Sequence, residues 1–244
     1  MEYALAGLVL FAITVYLAYA IIGIVGVRGK VRWLDPSRIE EAPIDSVYED
    51  VPALRDGVAR LAPLGFVPVK GARVSQPPTN PRLIVLRHPF ELAMASVMAF
   101  GQGNRHVVVS EFVQRDARGR AIAVNDASVV RVEPPLACSR AYRFPGASAT
   151  ELWHAFKSIR ATGTLGGAWQ GWADRCEVEI VREASRRQVS ELHAHGYLET
   201  DGTAGPPRLT LRGAVVFTLK LMWPWKYAVG RAQVTEARRA AGLR

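Results

Sequence analysis

The chain has 244 residues, 49% hydrophobic and 22% charged, which excludes wholesale disorder and a multi-span transporter and leaves one sizeable domain or two small ones beyond any anchor. Its 26 arginines and 5 lysines outweigh 22 acidic residues to give a net charge of +9, a balance that favours anionic partners and says nothing about fold. The two cysteines, Cys138 and Cys176, form no CxxC pair and are too few for a disulfide framework, so they read as free thiols in a reducing compartment.

Residues 3–27 are an unbroken uncharged run that would extend about 37 Å as a helix, against a hydrocarbon core of about 30 Å. The run starts after Glu2 and ends at Arg28, without the basic flank, short apolar core and small-residue cleavage site of a secretory signal. A retained single-pass anchor is therefore expected. Arg28, Lys30, Arg32 and Arg38 follow it and no Lys or Arg precedes it, which predicts an N-terminus outside and a cytoplasmic remainder. With an Arg and Ala preference of the kind GC-rich bacterial genomes produce, the membrane in question is the inner membrane. No GxxxG pair argues for a helix dimer.

Between Asp35 and Asp50 the charge turns acidic, with Pro36 and Pro43 interrupting any regular structure, so residues 28–50 read as a linker. Asp50 can cap a helix with Pro52 in its first turn and Leu54, Val58 and Leu61 at helical spacing, ended by Pro63 and Gly65. Strand-like runs follow at 66–69, 83–88, 92–100, 106–115 and 121–125. Gly101-Gln102-Gly103-Asn104 and Asp116-Ala117-Arg118-Gly119 supply hairpin turns, so the strands pair antiparallel. The proline-rich loop 75–81 cannot pair, and 131–142 holds one more irregular strand. Ser148 and Glu151 make a capping box for a helix with Leu152, Phe156 and Ile159 on one face. Gly163, Gly166 and Gly167 break the chain, and a longer helix spans 173–195 and stops at Gly196.

The string Leu192-His193-Ala194-His195-Gly196-Tyr197-Leu198, a Gly- and Pro-rich turn, and Leu209-Thr210-Leu211-Arg212-Gly213 come next. This segment resembles the helix, wing and following helix of MarR- or PadR-type regulators, over about a fifth of the chain. The resemblance implies a winged helix that reads DNA, with Arg182, Arg186 and Arg187 as phosphate contacts. The bland alternative is a solvated helix face, because Glu177, Glu179, Glu183 and Glu191 sit three and four residues from those arginines.

Residues 213–229 combine an apolar stretch with Trp223, Trp225 and Tyr227 beside Lys220 and Lys226, a set suited to the headgroup level of a bilayer. A second full span is disfavoured by Lys220 and by Pro224, so the alternatives are an interfacial helix or a helix packed on its own domain. Arg231, Arg238, Arg239 and Arg244 form a basic tail that could attract anionic lipid. Catalytic signals are thin. His193 and His195 at i, i+2 are no zinc pair, and there is no nucleophile elbow, phosphate loop or dinucleotide fingerprint. A polar cleft around His106, Ser110 and Glu111, with Asp126 nearby, is the one arrangement that could do chemistry.

The expected fold is α+β: an anchor over 1–27, a linker over 28–50, an antiparallel sheet with flanking helices over 51–170, a helix-hairpin segment over 171–212, and an amphipathic C-terminal helix with a basic tail over 213–244. The function expected is binding, as a scaffold that presents the domain to a protein partner at the inner membrane, without cofactor or metal. A membrane-tethered winged-helix regulator is the alternative, and a small hydrolase or transferase the third.

Overall fold

Runs rich in Val, Ile and aromatics, separated by short polar turns, give a mixed sheet whose strands lie side by side in chain order. The structure, a computed structural model, describes residues 2–31, 33–76, 80–102, 105–116, 118–162, 169–170, 176–200 and 206–243. The strands are β1 (Ile39–Ala42), β2 (Val67–Val74), β3 (Arg82–Arg87), β4 (Met94–Gln102), β5 (Arg105–Asp116), β6 (Ala121–Asn125) and β7 (Ser139–Arg143). Neighbours pair antiparallel from β1 to β6, whereas β7 runs parallel to β6. Parallel pairing requires a long connection, and 126–138 supplies it. A short β8 (Trp169–Gln170) pairs with the end of β5.

Helices α2 (Ile44–Asp50), α3 (Ala53–Leu61) and α4 (Ala149–Ala161) cover one face of the sheet. The strands turn Ile84, Leu86, Val97, Phe112, Ile122 and Val124 toward them, and Leu54, Leu61, Leu152, Phe156 and Ile159 fill the space between. Full burial of each such side chain contributes about 1.5–3 kcal/mol. Trp153 adds edge and stacking contacts to Phe66, Phe112 and Phe156 at centroid distances of 5.1, 5.1 and 5.3 Å. The Ser148 capping box opens α4, with Ser148 Oγ accepting from Glu151 N and Glu151 Oε2 accepting from Ser148 N.

The opposite face is covered by α5 (Glu177–Ala194), whose Val178 and Ile180 meet Ile39, Val74, Leu83 and Val85. Gly196, at φ +70°, turns the chain out of this helix. A two-residue pair, β9 (Leu198–Glu199) and β10 (Arg208–Leu209), leads into α6 (Leu211–Leu221). After Trp223 and Pro224 comes α7 (Trp225–Ala240), which returns so that Ala237 and Ala241 enter the main core.

The first helix, α1 (Glu2–Lys30), is long and apolar enough to cross a membrane. Its C-terminal half is docked, not free. Ile24, Val27, Val31 and Trp33 pack on Leu198, Leu209, Ala214 and Phe217, and Trp33 N donates to Pro207 O at 2.8 Å. Gly23 lies against Thr218, so earlier residues of α1 meet later residues of α6 and the two helices run antiparallel.

Three sequence expectations change. Residues 28–50 are no linker: they contain the end of α1, the edge strand β1 and α2, with Ile39 and Val47 fully buried. Their prolines stand between elements and leave the apolar positions free to pack. Asp50 ends α2 and caps nothing; its carboxylate takes Arg73 Nε and Arg82 Nε at 2.8 and 2.7 Å. The single C-terminal helix expected from residue 213 on is two, Leu211–Leu221 and Trp225–Ala240, because Pro224 cannot continue α6. The glycines at 163, 166 and 167 lie outside the described residues.

Candidate functional site

The break between α6 and α7 fixes where the C-terminal aromatics lie. Trp223, Trp225 and Tyr227 are 71%, 54% and 63% exposed, gathered with exposed Lys226 at the tip where α6 gives way to α7. Lys220, the fifth residue of the predicted set, points elsewhere: its Nζ donates to the carbonyls of Val132 and Glu133 at 3.0 and 3.1 Å. That loop is tied in turn to α7. Gln233 accepts from Arg131 N and donates to Arg131 O, and Arg143 Nη1 reaches the same Gln233 Oε1 at 2.8 Å. The tip is therefore presented by a braced hairpin.

The arginines of α5 do not form an open basic face. Arg182 donates to Ile39 O and to Glu179, Arg186 to Glu179, and Arg187 to Gly119 O and Glu183. Glu183 also takes both Nη atoms of Arg115, so α5 lies against the sheet through these groups. Such pairs satisfy the donors that a phosphate would need.

His106, Ser110 and Glu111 do not converge. Successive residues of a strand face opposite sides, so Ser110 points to the α3 side while Glu111 points away from it. Ser110 N donates to Asp126 Oδ1 at 2.8 Å, an ordinary strand-end bond. His106 is exposed near the far end of β5, opposite Gly101. His195 sits 3.8 Å from Glu191 and His193 lies by Thr200, and no group of three or more potential metal ligands occurs among the described residues. Burial, then the neighbouring Glu191, pushes the Cys138 thiol up to about 11, away from thiolate reactivity.

Two features escaped the sequence. The turn after β3 holds Phe90 92% exposed, and the turn is stiff: His88 Nδ1 accepts from Phe90 N and Glu91 N at 3.2 and 3.0 Å, while Glu91 takes Arg160 at 2.7 Å. Leu92, two residues on, and Val67, paired with Arg87 at the end of β3, are exposed as well. The second feature is a cavity of about 680 Å³ between β3–β7, α5 and the loop 127–133. Its signal was present in β6 and β7, where large residues alternate with alanine and serine. Comparison with protein-family models, with curated proteins and with solved structures finds no match for this chain.

Proposed function

We propose that the protein is a membrane-anchored scaffold without catalytic chemistry of its own, which presents its α+β domain to a protein partner at the inner membrane. The observation that carries this reading is Phe90. A large aromatic side chain, 92% exposed on a turn whose backbone is fixed by two hydrogen bonds to His88 Nδ1, offers a partner an apolar anchor on a segment that is already ordered.

The membrane side rests on α1 and the α6–α7 tip acting as one unit. In this reading α1 spans with its N-terminus outside, because Arg28 and Lys30 close its last turn. Trp223, Trp225, Tyr227 and Lys226 then rest at the headgroup level beside it, where amphipathic rings and a cation are favoured, and anionic lipid adds attraction. Since Ile24 and Val27 of α1 pack on Leu209, Ala214 and Phe217, the domain is held in a set orientation and not on a flexible tether. The winged-helix alternative, with DNA as ligand, draws no support from the paired arginines of α5.

The test is recovery from detergent extract. The full chain is expected to enrich a partner over a control carrying residues 1–31 alone, and Phe90→Ser should abolish that enrichment. A full chain that never enriches any protein over the control sinks the scaffold reading.

A further inference from the structure

The sheet face opposite α2, α3 and α4 is only half covered. Val178 and Ile180 of α5 pack on β1–β3, and from the edge of that contact, at Ile39, Val74, Leu83 and Val85, across β4–β7 the chain leaves the 680 Å³ cavity, within the roughly 300–1,000 Å³ of small-molecule sites. The space is left open by side-chain choice. In β6 and β7 the residues on the packed face are Ile122, Val124 and Tyr142, whereas those lining the cavity are Ala121, Ala123, Ser139 and Ala141. Alanine is poorly suited to strands, and β-branched residues at these positions would have filled the volume.

The floor carries one polar row. Ser96, Glu111 and Asn125 are register neighbours on β4, β5 and β6 and all line the cavity. Asn125 Nδ2 donates to Glu111 Oε1 at 3.1 Å, and among the described residues no cation pairs with this carboxyl. Around the row stand the apolar Met98, Val113, Val130 and Val181, with Arg115, Arg131, Glu133 and Arg143 also on the lining. Burial pushes the Glu111 carboxyl above the usual range, only partly offset by Asn125 and Arg131.

We propose that this cavity binds a neutral amphiphile, an apolar chain ending in a hydroxyl, with that hydroxyl on the Glu111 oxygen that Asn125 leaves open. An anionic head would set a second negative charge against the Glu111 carboxyl, while the guanidiniums on the lining are already engaged, Arg115 with Glu183, Arg131 with Glu133, and Arg143 with Gln233 and two carbonyls. A cationic head would pass Arg115, Arg131 and Arg143, which all line the cavity. A hydroxyl avoids both costs and can donate to Glu111 or accept from it, whichever protonation state it holds.

Full-length protein in phosphatidylcholine nanodiscs, irradiated with a diazirine-bearing hexadecanol and mapped by peptide mass spectrometry, tests this site separately from the partner on Phe90. The alcohol is expected to label β4, β5 and β6 in addition to α1, with competition by unlabelled hexadecanol. Ala123→Phe fills the space and should remove the strand labelling. Glu111→Gln keeps a hydrogen-bonding head and should retain it, while Glu111→Leu should lower it about tenfold, roughly the loss of one hydrogen bond. Matched acid and amine probes should label the strands about tenfold less. Labelling confined to α1 and the α6–α7 tip overturns the cavity and leaves membrane docking standing, and equal strand labelling by all three head groups overturns the hydroxyl preference.

Discussion

Gly23 of α1 lies so close to Thr218 of α6 that a Cβ built on it would stand 2.8 Å from Thr218 Cγ2. This contact, with Ala20 one turn earlier and Val27 one turn later on the same stripe, lets the C-terminal half of α1 lie against α6. Small residues serve the same end wherever helices pack without a bulky interface. The hydroxyl of Thr218 is buried there and finds no partner among the described residues.

Gly23→Ala should therefore destabilise the protein, although the same change in an open helix gains about 1 kcal/mol. Overpacking costs about 1–3 kcal/mol, and Thr218→Ala should relieve most of it. Thr218→Val keeps the methyl in contact and removes the orphaned hydroxyl, so it should raise stability. Denaturant unfolding of the four variants of the Gly23/Thr218 cycle measures the coupling directly, and additive effects would show that the two helices are not in contact.

A fluorophore on Tyr227→Cys, in a Cys138→Ser, Cys176→Ser background, reads where the hairpin tip lies. In vesicles its emission should shift to the blue and be quenched by lipids labelled near the headgroup more than by lipids labelled near the chain end. Water-like emission with no quenching would place the tip off the membrane. Gly23→Leu, which pushes α6 from α1, should weaken the quenching.

Two carboxyls give stability opposite pH dependences. Asp116 is fully buried; burial pulls its pKa up, but the Arg120 backbone and side chain and the Arg118 amide outweigh this and hold it below the ordinary value. Its contribution is present above the unfolded Asp value of about 3.9 and is lost as pH falls through the lower folded value. Glu111 is raised, chiefly by burial, so its contribution is present below the unfolded Glu value of about 4.3 and is lost as pH rises through the higher folded value. Asp116→Asn should remove stability that the native chain holds at neutral pH, and Glu111→Gln should add stability there. Thermal unfolding between pH 3 and pH 8 checks both, and parallel profiles for the two variants would contradict the assignment.

Arg143 ties three segments together: Nε and Nη2 reach the carbonyls of Ala127 and Ser128, and Nη1 reaches Gln233 of α7. Gln233→Ala leaves a buried guanidinium short of a partner and should cost about 1–3 kcal/mol. Hydrogen exchange should quicken in α7 and in 127–133 while α3 and α4 keep their protection. Uniform loss of protection across the sheet would argue for global unfolding instead.

Phe90→Ser should leave thermal stability within about 0.5 kcal/mol, because an exposed side chain makes no core contact. A large destabilisation would mean that the residue belongs to the fold and that the exposed patch is not available to a partner.

Local chemistry decided much of this protein. Apolarity over residues 3–27 determined a helix long enough to cross a membrane, the Ser148 and Glu151 spacing determined the start of α4, and β-branched runs broken by Gly, Asn and Asp determined β2 to β6. Each depends on neighbours within one turn or one hairpin, so it is visible in one dimension. Only the tertiary structure decided what the remaining groups meet. Residues 28–50 look like a linker until Ile39 and Val47 find the sheet edge, and His106, Ser110 and Glu111 look like a cluster until the pleat sends Ser110 and Glu111 to opposite faces. The arginines of α5 look free until Gly119 in the β5–β6 turn and Ile39 of β1 offer carbonyls from distant parts of the chain. The cavity exists because separated strands, α5 and the loop 127–133 fail to fill a common space, and no single segment records what its distant neighbours leave empty.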